Sequence, residues 1–304
     1  MPPTDIPQPG VRTTAVAVRA LGMVNRVLQP KLYGVDCIPD RGPFMLVGNH
    51  TLYGLQDVPS LIYEIHRARS IHVRALGDHL HFGIPLWRTL LCDLGMVRGT
   101  RKNCAALLQA GEAVMVFPGG AHEVFKGRNQ HYDLVWRERL GFARLAVEHG
   151  CPIIPFSAVG ADDTYTVLLD AEHPLIKPIR LVTDRVTGRP EAFIPVSRGV
   201  GPTLVPRPER FYLHFASPID TTPLAGHHDD RDALRALRDQ VKSGVEEGIR
   251  FLLAERDRDP HRRLIPRLGR AVRGGKGEHA PFAITPSANG RCDTVITDDG
   301  ALQV

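Results

Sequence analysis

No stretch of the chain approaches the ~20 consecutive apolar residues that a helix needs to cross a bilayer. Hydrophobic residues nevertheless make up 43% of its 304 positions. That is an ordinary share for a globular protein, enough for one large α/β domain or two small ones. Aromatic residues are scarce, at 6%, and no RNA- or DNA-binding signature is present, so a base-stacking surface is excluded and no nucleic-acid partner is expected. The five cysteines, Cys37, Cys92, Cys104, Cys151 and Cys292, are scattered and never occur as Cys-x-x-Cys. This argues against a disulfide framework or a zinc ribbon and for reduced thiols. His-Glu-x-x-His and Gly-x-Ser-x-Gly are both missing, which disfavours a zinc peptidase and a serine hydrolase. The polar start, Met1-Pro2-Pro3-Thr4-Asp5, has no apolar core beside a basic flank, so a cytoplasmic protein without a signal peptide is expected.

What the chain does have is a mild excess of positive charge. Lys and Arg number 38 against 33 Asp and Glu, a net charge of +5. That balance suits anionic partners, either phosphate-bearing small molecules or an anionic lipid surface. In residues 11–29, Arg12, Arg19 and Arg26 recur every seven positions among small apolar residues. The spacing predicts a basic amphipathic helix, either packed on the domain or lying on an anionic membrane surface. Residues 1–33 are read as this N-terminal segment and 34–256 as the main domain. Residues 257–304 are read as a basic stretch followed by a tail without periodicity, expected to be disordered.

Between 44 and 160 short apolar runs alternate with helical patterns. The runs are Phe44–Gly48, Ile71–Leu76, Ala113–Phe117 and Pro152–Val159. Helices are expected at about 58–69, 86–92, 101–110 (after Thr100 as N-cap) and 134–149. This alternation predicts an α/β fold with a mostly parallel central sheet flanked by helices. Residues 161–208, rich in Pro and Gly, read as an excursion from the core. A strand near 210–215 and a long helix from about 230 to 256 complete the domain.

Candidate chemistry sits where apolar runs end. Phe44-Met45-Leu46-Val47-Gly48 runs into Asn49-His50. A buried strand would deliver His50 to the C-terminal edge of the sheet, where open α/β sheets bind ligands. An imidazole there can take a proton from a hydroxyl at neutral pH. Asp57 follows as a partner that would fix the tautomer. Seven steps of regular helix would separate the two by about 10.5 Å, so a turn is required, and Gly54 permits one. Taken alone, Asp57 reads equally well as a helix cap. A second strand ends in Phe117-Pro118-Gly119-Gly120-Ala121-His122-Glu123. Its glycines let backbone approach a ligand and present N–H donors to an oxyanion, and Glu123 is a second acid/base candidate. Arg98, Arg101 and Lys102 lie at a helix start suited to a phosphate. His66, His72, His79 and His81 include a His-x-His pair, but no further ligand completes a metal pattern, so no metal is expected.

In this order the segments resemble the boxes of the glycerolipid (1-acylglycerol-3-phosphate) acyltransferase superfamily. They are an Asn-His box with a following Asp, an arginine box from Gly95 to Arg101, Phe117–Glu123, and Pro152-Ile153-Ile154-Pro155. Val47-Gly48-Asn49-His50 with Tyr53-Gly54, the Phe-Pro-Gly-Gly box, and the run from Trp136 through Gly141-Phe142-Ala143-Arg144-Leu145-Ala146 are similar to the diacylglycerol acyltransferase-like and phytyl ester synthase-like branch. The resemblance covers roughly residues 34–256. It implies an enzyme of the EC 2.3.1 class moving a fatty acyl group from acyl-CoA or acyl carrier protein to a lipid hydroxyl, with no bound cofactor. His50 would be general base, Asp57 its orienter and Glu123 the third catalytic residue. Asn49, Arg98, Arg101, Lys102, Phe117, Pro118, Gly119 and Gly120 would bind substrate. The partners implied are a lipid acceptor, the acyl thioester and the inner face of a membrane, to which the protein would be peripheral. Two departures stand out. Six residues separate His50 from Asp57 where the commonest first box has four, and the Phe117–Glu123 box carries no arginine. The second tilts the expectation toward a neutral acceptor, such as a diacylglycerol or a long-chain alcohol, over lysophosphatidate. Thioester hydrolysis and non-catalytic lipid binding are the alternatives.

Overall fold

The computed structural model describes residues 9–54, 57–128, 130–170, 173, 174, 176, 195–267, 282–284 and 294–296. Its sheet is centred on β2 (Phe44–Gly48), all five residues of which are buried. Met45 and Val47 join the core on one face, and Phe44 and Leu46 the core on the other. Successive strand side chains point to opposite sides, and a strand covered on both sides has no polar face. It is therefore written as a continuous apolar run.

β5 (Ala113–Val116) and β6 (Ile153–Val159) flank β2 in parallel, with Leu46 opposite Met115 and Ile154. β3 (Val73–Gly77) pairs in parallel with β5, and β4 (Val97–Arg98) with β3. On the far side of β6, β9 (Tyr212–Phe215) runs antiparallel, and β1 (Lys31–Tyr33) is parallel to β9. The order is β1-β9-β6-β2-β5-β3-β4, extended beyond β1 by an antiparallel pair, β10 (Phe282–Ile284) and β11 (Thr294–Ile296). The expected mostly parallel sheet is present: five adjacent strands share one direction and so end on one edge.

Helices cover both faces. Leu107 of α4 (Arg101–Gln109), Phe142 of α6 (Gly141–Glu148) and Val241 of α7 (Arg231–Arg258) share the core with Met45 and Val47. Val58, Leu61 and Ile65 of α2 (Asp57–Arg69) share the other with Phe44 and Leu46. The expected N-terminal helix forms as α1 (Val11–Leu28) and docks on α2. The Asn25 amide donates to Glu64 at 2.8 Å and accepts from the Ser60 hydroxyl at 3.0 Å. No described helix is long and apolar enough to cross a membrane.

The sequence overextended one helix. The element expected at 134–149 begins only at Gly141. Residues before it are diverted: the Val135 amide donates to a buried carboxylate, Trp136 is buried edge-on against Phe142, and Arg137 takes a left-handed conformation with φ 49°. Tertiary contacts there outweigh helical propensity. In the expected excursion, β7 (Thr166–Leu169) and β8 (Val196–Arg198) form a separate antiparallel pair. Most of 171–194 lies outside the described residues, as does most of the tail after 267.

Candidate active site

The five parallel strands end on one edge, and the ends of the three central ones contribute to the same neighbourhood. β2 leads into Asn49 and His50, β5 into Phe117-Pro118-Gly119, and β6 into Gly160-Ala161-Asp162. His50 is the least buried of the ionisable groups at its centre. Its ring stacks on Phe117, with centroids 4.1 Å apart and planes at 19°, and Phe117 is in turn edge-on to Phe156. On its other side the imidazole meets Gly54, where an added Cβ would stand 2.1 Å from His50 Cε1. The turn between His50 and α2 supplies what the sequence spacing required. The Gly54 amide closes onto the Thr51 carbonyl at 3.1 Å, and Tyr53 and Gly54 take φ of 65° and 58°. The Tyr53 hydroxyl anchors this turn by donating to the Pro195 carbonyl at 2.8 Å.

The turn brings Asp57 to His50. Asp57 Oδ2 lies 3.9 Å from His50 Nδ1. At that distance the contact is electrostatic and not a hydrogen bond. His50 Nδ1 and Asp57 Oδ1 are both buried without a hydrogen-bond partner. Burial pushes the Asp57 carboxyl up, but attraction to His50, together with the Thr51 side chain and the Val58 amide, outweighs it and holds the group below the usual carboxylate range. Asp57 is the first residue of α2, one position inside the helix and not its N-cap.

Glu123 is also gathered here, though its contacts differ from those expected of a residue touching substrate. It is fully buried. Oε2 accepts the His50 amide at 2.7 Å and Oε1 the Val135 amide at 3.0 Å. Burial raises its pKa against the lowering effect of Lys126 and those amides. Asn49, expected among the substrate contacts, is likewise fully buried, and its amide exchanges two hydrogen bonds with the backbone of Ala158, at 2.9 and 2.8 Å. It pins the end of β2 to β6.

In the Pro118-Gly119-Gly120 loop the Gly120 amide is already given to the Phe117 carbonyl at 3.1 Å. The Gly119 amide makes no hydrogen bond among the described residues. An added Cβ at Gly119 would meet Glu123 Cδ at 2.1 Å, so only glycine fits. Arg98, Arg101 and Lys102 are exposed and have no carboxylate partner among the described residues. Arg98 lies over the Phe82 ring at 5.9 Å. It sits at the end of β4, three strands from β2, hence about 14 Å along the edge from His50. His81 lies between. Burial lowers its pKa, and Asp78 raises it against repulsion from His50. Among the described residues no three metal-ligating side chains converge.

Three residues of this neighbourhood were not singled out from the sequence. Asp162 accepts the Leu52 amide at 2.6 Å and the Tyr132 amide at 3.0 Å. Lys126 is buried against Asp162 at 3.4 Å. The Arg139 guanidinium donates to the carbonyls of Pro118 and Gly119 at 3.0 and 3.2 Å. A signal for Asp162 was available, since Gly160-Ala161-Asp162 directly follows a buried strand in the parallel block.

Residues 29–159, which hold His50, Asp57 and Glu123, match the family model described as Acyltransferase. The chain is 32% identical over 250 residues to phytyl ester synthase 2, chloroplastic, of Arabidopsis thaliana, covering 77% of this chain and 36% of that protein. It is 30% identical over 269 residues to phytyl ester synthase 1, chloroplastic, of the same plant, covering 82% and 38%. A DGAT1/2-independent enzyme synthesizing storage lipids from Bos taurus is 31% identical over 131 residues, covering 41% and 37%. The chain thus spans less than two fifths of the length of these curated relatives.

Proposed function

We propose that the chain, whose residues 29–159 match the Acyltransferase family model, is a member of the glycerolipid acyltransferase superfamily and transfers a fatty acyl group from an acyl thioester to the hydroxyl of a lipid. The observation that carries the reading is a half-open imidazole, His50, held between Phe117 and Gly54 with a buried carboxylate 3.9 Å from Nδ1. Asp57 favours the tautomer with hydrogen on Nδ1 and leaves Nε2 as the base. Nε2 takes the acceptor's hydroxyl proton as its oxygen bonds to the thioester carbonyl carbon. When the carbon–sulfur bond breaks, the same proton goes to the leaving thiolate. The Gly119 amide, without a hydrogen-bond partner among the described residues, is the donor we assign to the oxyanion. Glu123 serves by gripping the His50 backbone. Arg98, Arg101 and Lys102, exposed and without a carboxylate partner among the described residues, suit a phosphate of the donor, either acyl-CoA or acyl carrier protein.

The acceptor we favour is neutral, a diacylglycerol or a long-chain alcohol, because no arginine lies in the Phe117–Glu123 box and Arg139 is engaged with the loop carbonyls. The relatives' names, phytyl ester synthase and storage-lipid enzyme, point the same way. Access to such acceptors would be from a membrane surface. Val16, Met23, Val24 and Val27 of α1 are exposed on the helix that also carries Arg12, Arg19 and Arg26, so α1 can dock on α2 and still present apolar and cationic side chains to anionic lipid.

The test is thiol release from palmitoyl-CoA by wild type and His50→Ala, with and without diacylglycerol, hexadecanol or lysophosphatidate in detergent. Release that requires a neutral acceptor, and falls in the variant by about 10²–10⁴-fold, is expected. Release without any acceptor would make the protein a thioesterase, and a requirement for lysophosphatidate would overturn the acceptor class.

A further inference from the structure

Three consecutive backbone amides after β2 are each taken by a different buried carboxylate. His50 N–H donates to Glu123 at 2.7 Å, Thr51 N–H to Asp57 at 3.4 Å, and Leu52 N–H to Asp162 at 2.6 Å. Two of the three carboxylates belong to the boxes already described. The third does not, yet its bond is the shortest. Asp162 also accepts the Tyr132 amide through its second oxygen, and Lys126 lies against it with both side chains almost wholly buried. We propose that Asp162, paired with Lys126, is a positioning residue for His50: it clamps Leu52 and so holds the imidazole on Phe117.

Three physical points carry this. A buried ion pair is a weak source of stability, because desolvation offsets most of the attraction, so stability alone does not account for a Lys–Asp pair at the end of β6. A carboxylate presents two acceptor oxygens, and here each meets a backbone amide from a different segment, one beside His50 and one before the diverted stretch that reaches Glu123. Finally, the turn it clamps contains Tyr53 in a left-handed conformation, a backbone state that persists only when its surroundings over-determine it. Losing the Leu52 clamp would let residues 50–54 relax and the imidazole leave its ring partner.

The inference rests on His50 being the base, and its test has an arm independent of activity. The variant is Lys126→Met with Asp162→Ala, which removes both charges together, so that no orphaned ion is buried. Lys126→Met with Asp162→Asn restores one acceptor oxygen. The His50 Cε1–H resonance, assigned by its absence in His50→Gln, reports stacking on Phe117 through its ring-current shift. In the alanine pair that shift is expected to collapse and kcat to fall about 100-fold with KM within about threefold. The asparagine pair is expected to recover the shift and about tenfold in kcat. A folded alanine pair with the wild-type His50 resonance would overturn the proposal, and so would equal behaviour of the two pairs. In the wild type, the Leu52 amide is expected to be strongly protected from hydrogen exchange. Free exchange there would overturn the clamp even if the alanine pair failed to fold. Collapse of the shift in a protein that transfers no acyl group would uphold the positioning role and sink the acyltransfer reading instead.

Discussion

Gly54 shows how little room the imidazole of His50 has. Any side chain at 54 begins 2.1 Å from His50 Cε1 and must also adopt φ of 58°, a conformation that costs an L-residue roughly 1 kcal/mol or more. Gly54→Ala is therefore expected to displace the imidazole and lower kcat by about 10²-fold, while the protein remains folded by circular dichroism. Full activity in a folded Gly54→Ala would mean that the ring's seat does not matter to the reaction. Glu123 makes the converse point. A glutamate after Pro-Gly-Gly reads from sequence as an acid/base group facing substrate, but its two oxygens are spent on the amides of His50 and Val135. The residue type was legible, whereas the direction of its bonds depends on chain segments far apart in sequence.

Elements whose signals are local were read well. Thr100 was expected as an N-cap, and its hydroxyl accepts the Asn103 amide at 3.1 Å at the start of α4. Thr100→Ala should cost about 1 kcal/mol, seen as a lower urea midpoint with an unchanged slope, and an unmoved midpoint would show the cap to be idle. β2, β5 and β6 were legible because strands buried on both faces are written as nearly continuous apolar runs. The stretch 134–140 was not. Its apolar residues satisfy a helical pattern, but the Val135 amide, the Trp136 indole and the Arg139 guanidinium are each drawn to partners outside the stretch itself.

For the whole molecule, the C-terminal end of α7 is tied to the sheet edge through Asp259. Its carboxylate accepts the Tyr212 hydroxyl at 2.7 Å and an Arg210 N–H at 3.1 Å, and Lys31 lies 3.3 Å away. Burial raises its pKa, but these partners and the His261 amide outweigh burial and hold it at about 2. An unfolded Asp titrates at about 3.9. The folded value is the lower one, so this contribution to stability is complete above about pH 4 and is lost as pH falls toward about 2. The melting temperature of Asp259→Asn should fall less steeply than that of wild type across this window; parallel curves would show the cluster to be uncoupled from folding. At the same scale, α1 presents Val16 and Met23 with 67% and 63% of their surface exposed. Val16→Ser with Met23→Ser should reduce co-sedimentation with anionic vesicles and leave the melting temperature in place. Undiminished binding would remove α1 from the membrane contact.

Much of this protein was determined by its sequence alone. The apolar runs specify the parallel strands, the ordered boxes carry the resemblance to acyltransferases, and the short path from His50 to Asp57 demands a turn that Gly54 makes possible. These follow from local physics, since periodicity, backbone freedom and reach along a chain are properties of neighbouring residues. Only the tertiary structure decided how the boxes divide the work. It turned Asn49 and Glu123 inward to brace the backbone, brought Asp162 and Lys126 beneath Leu52, and closed Arg139 over the Pro118-Gly119 carbonyls. Most of these contacts join segments tens of residues apart in sequence, and which buried amide meets which carboxylate is set by strand order, to which no single segment holds the key.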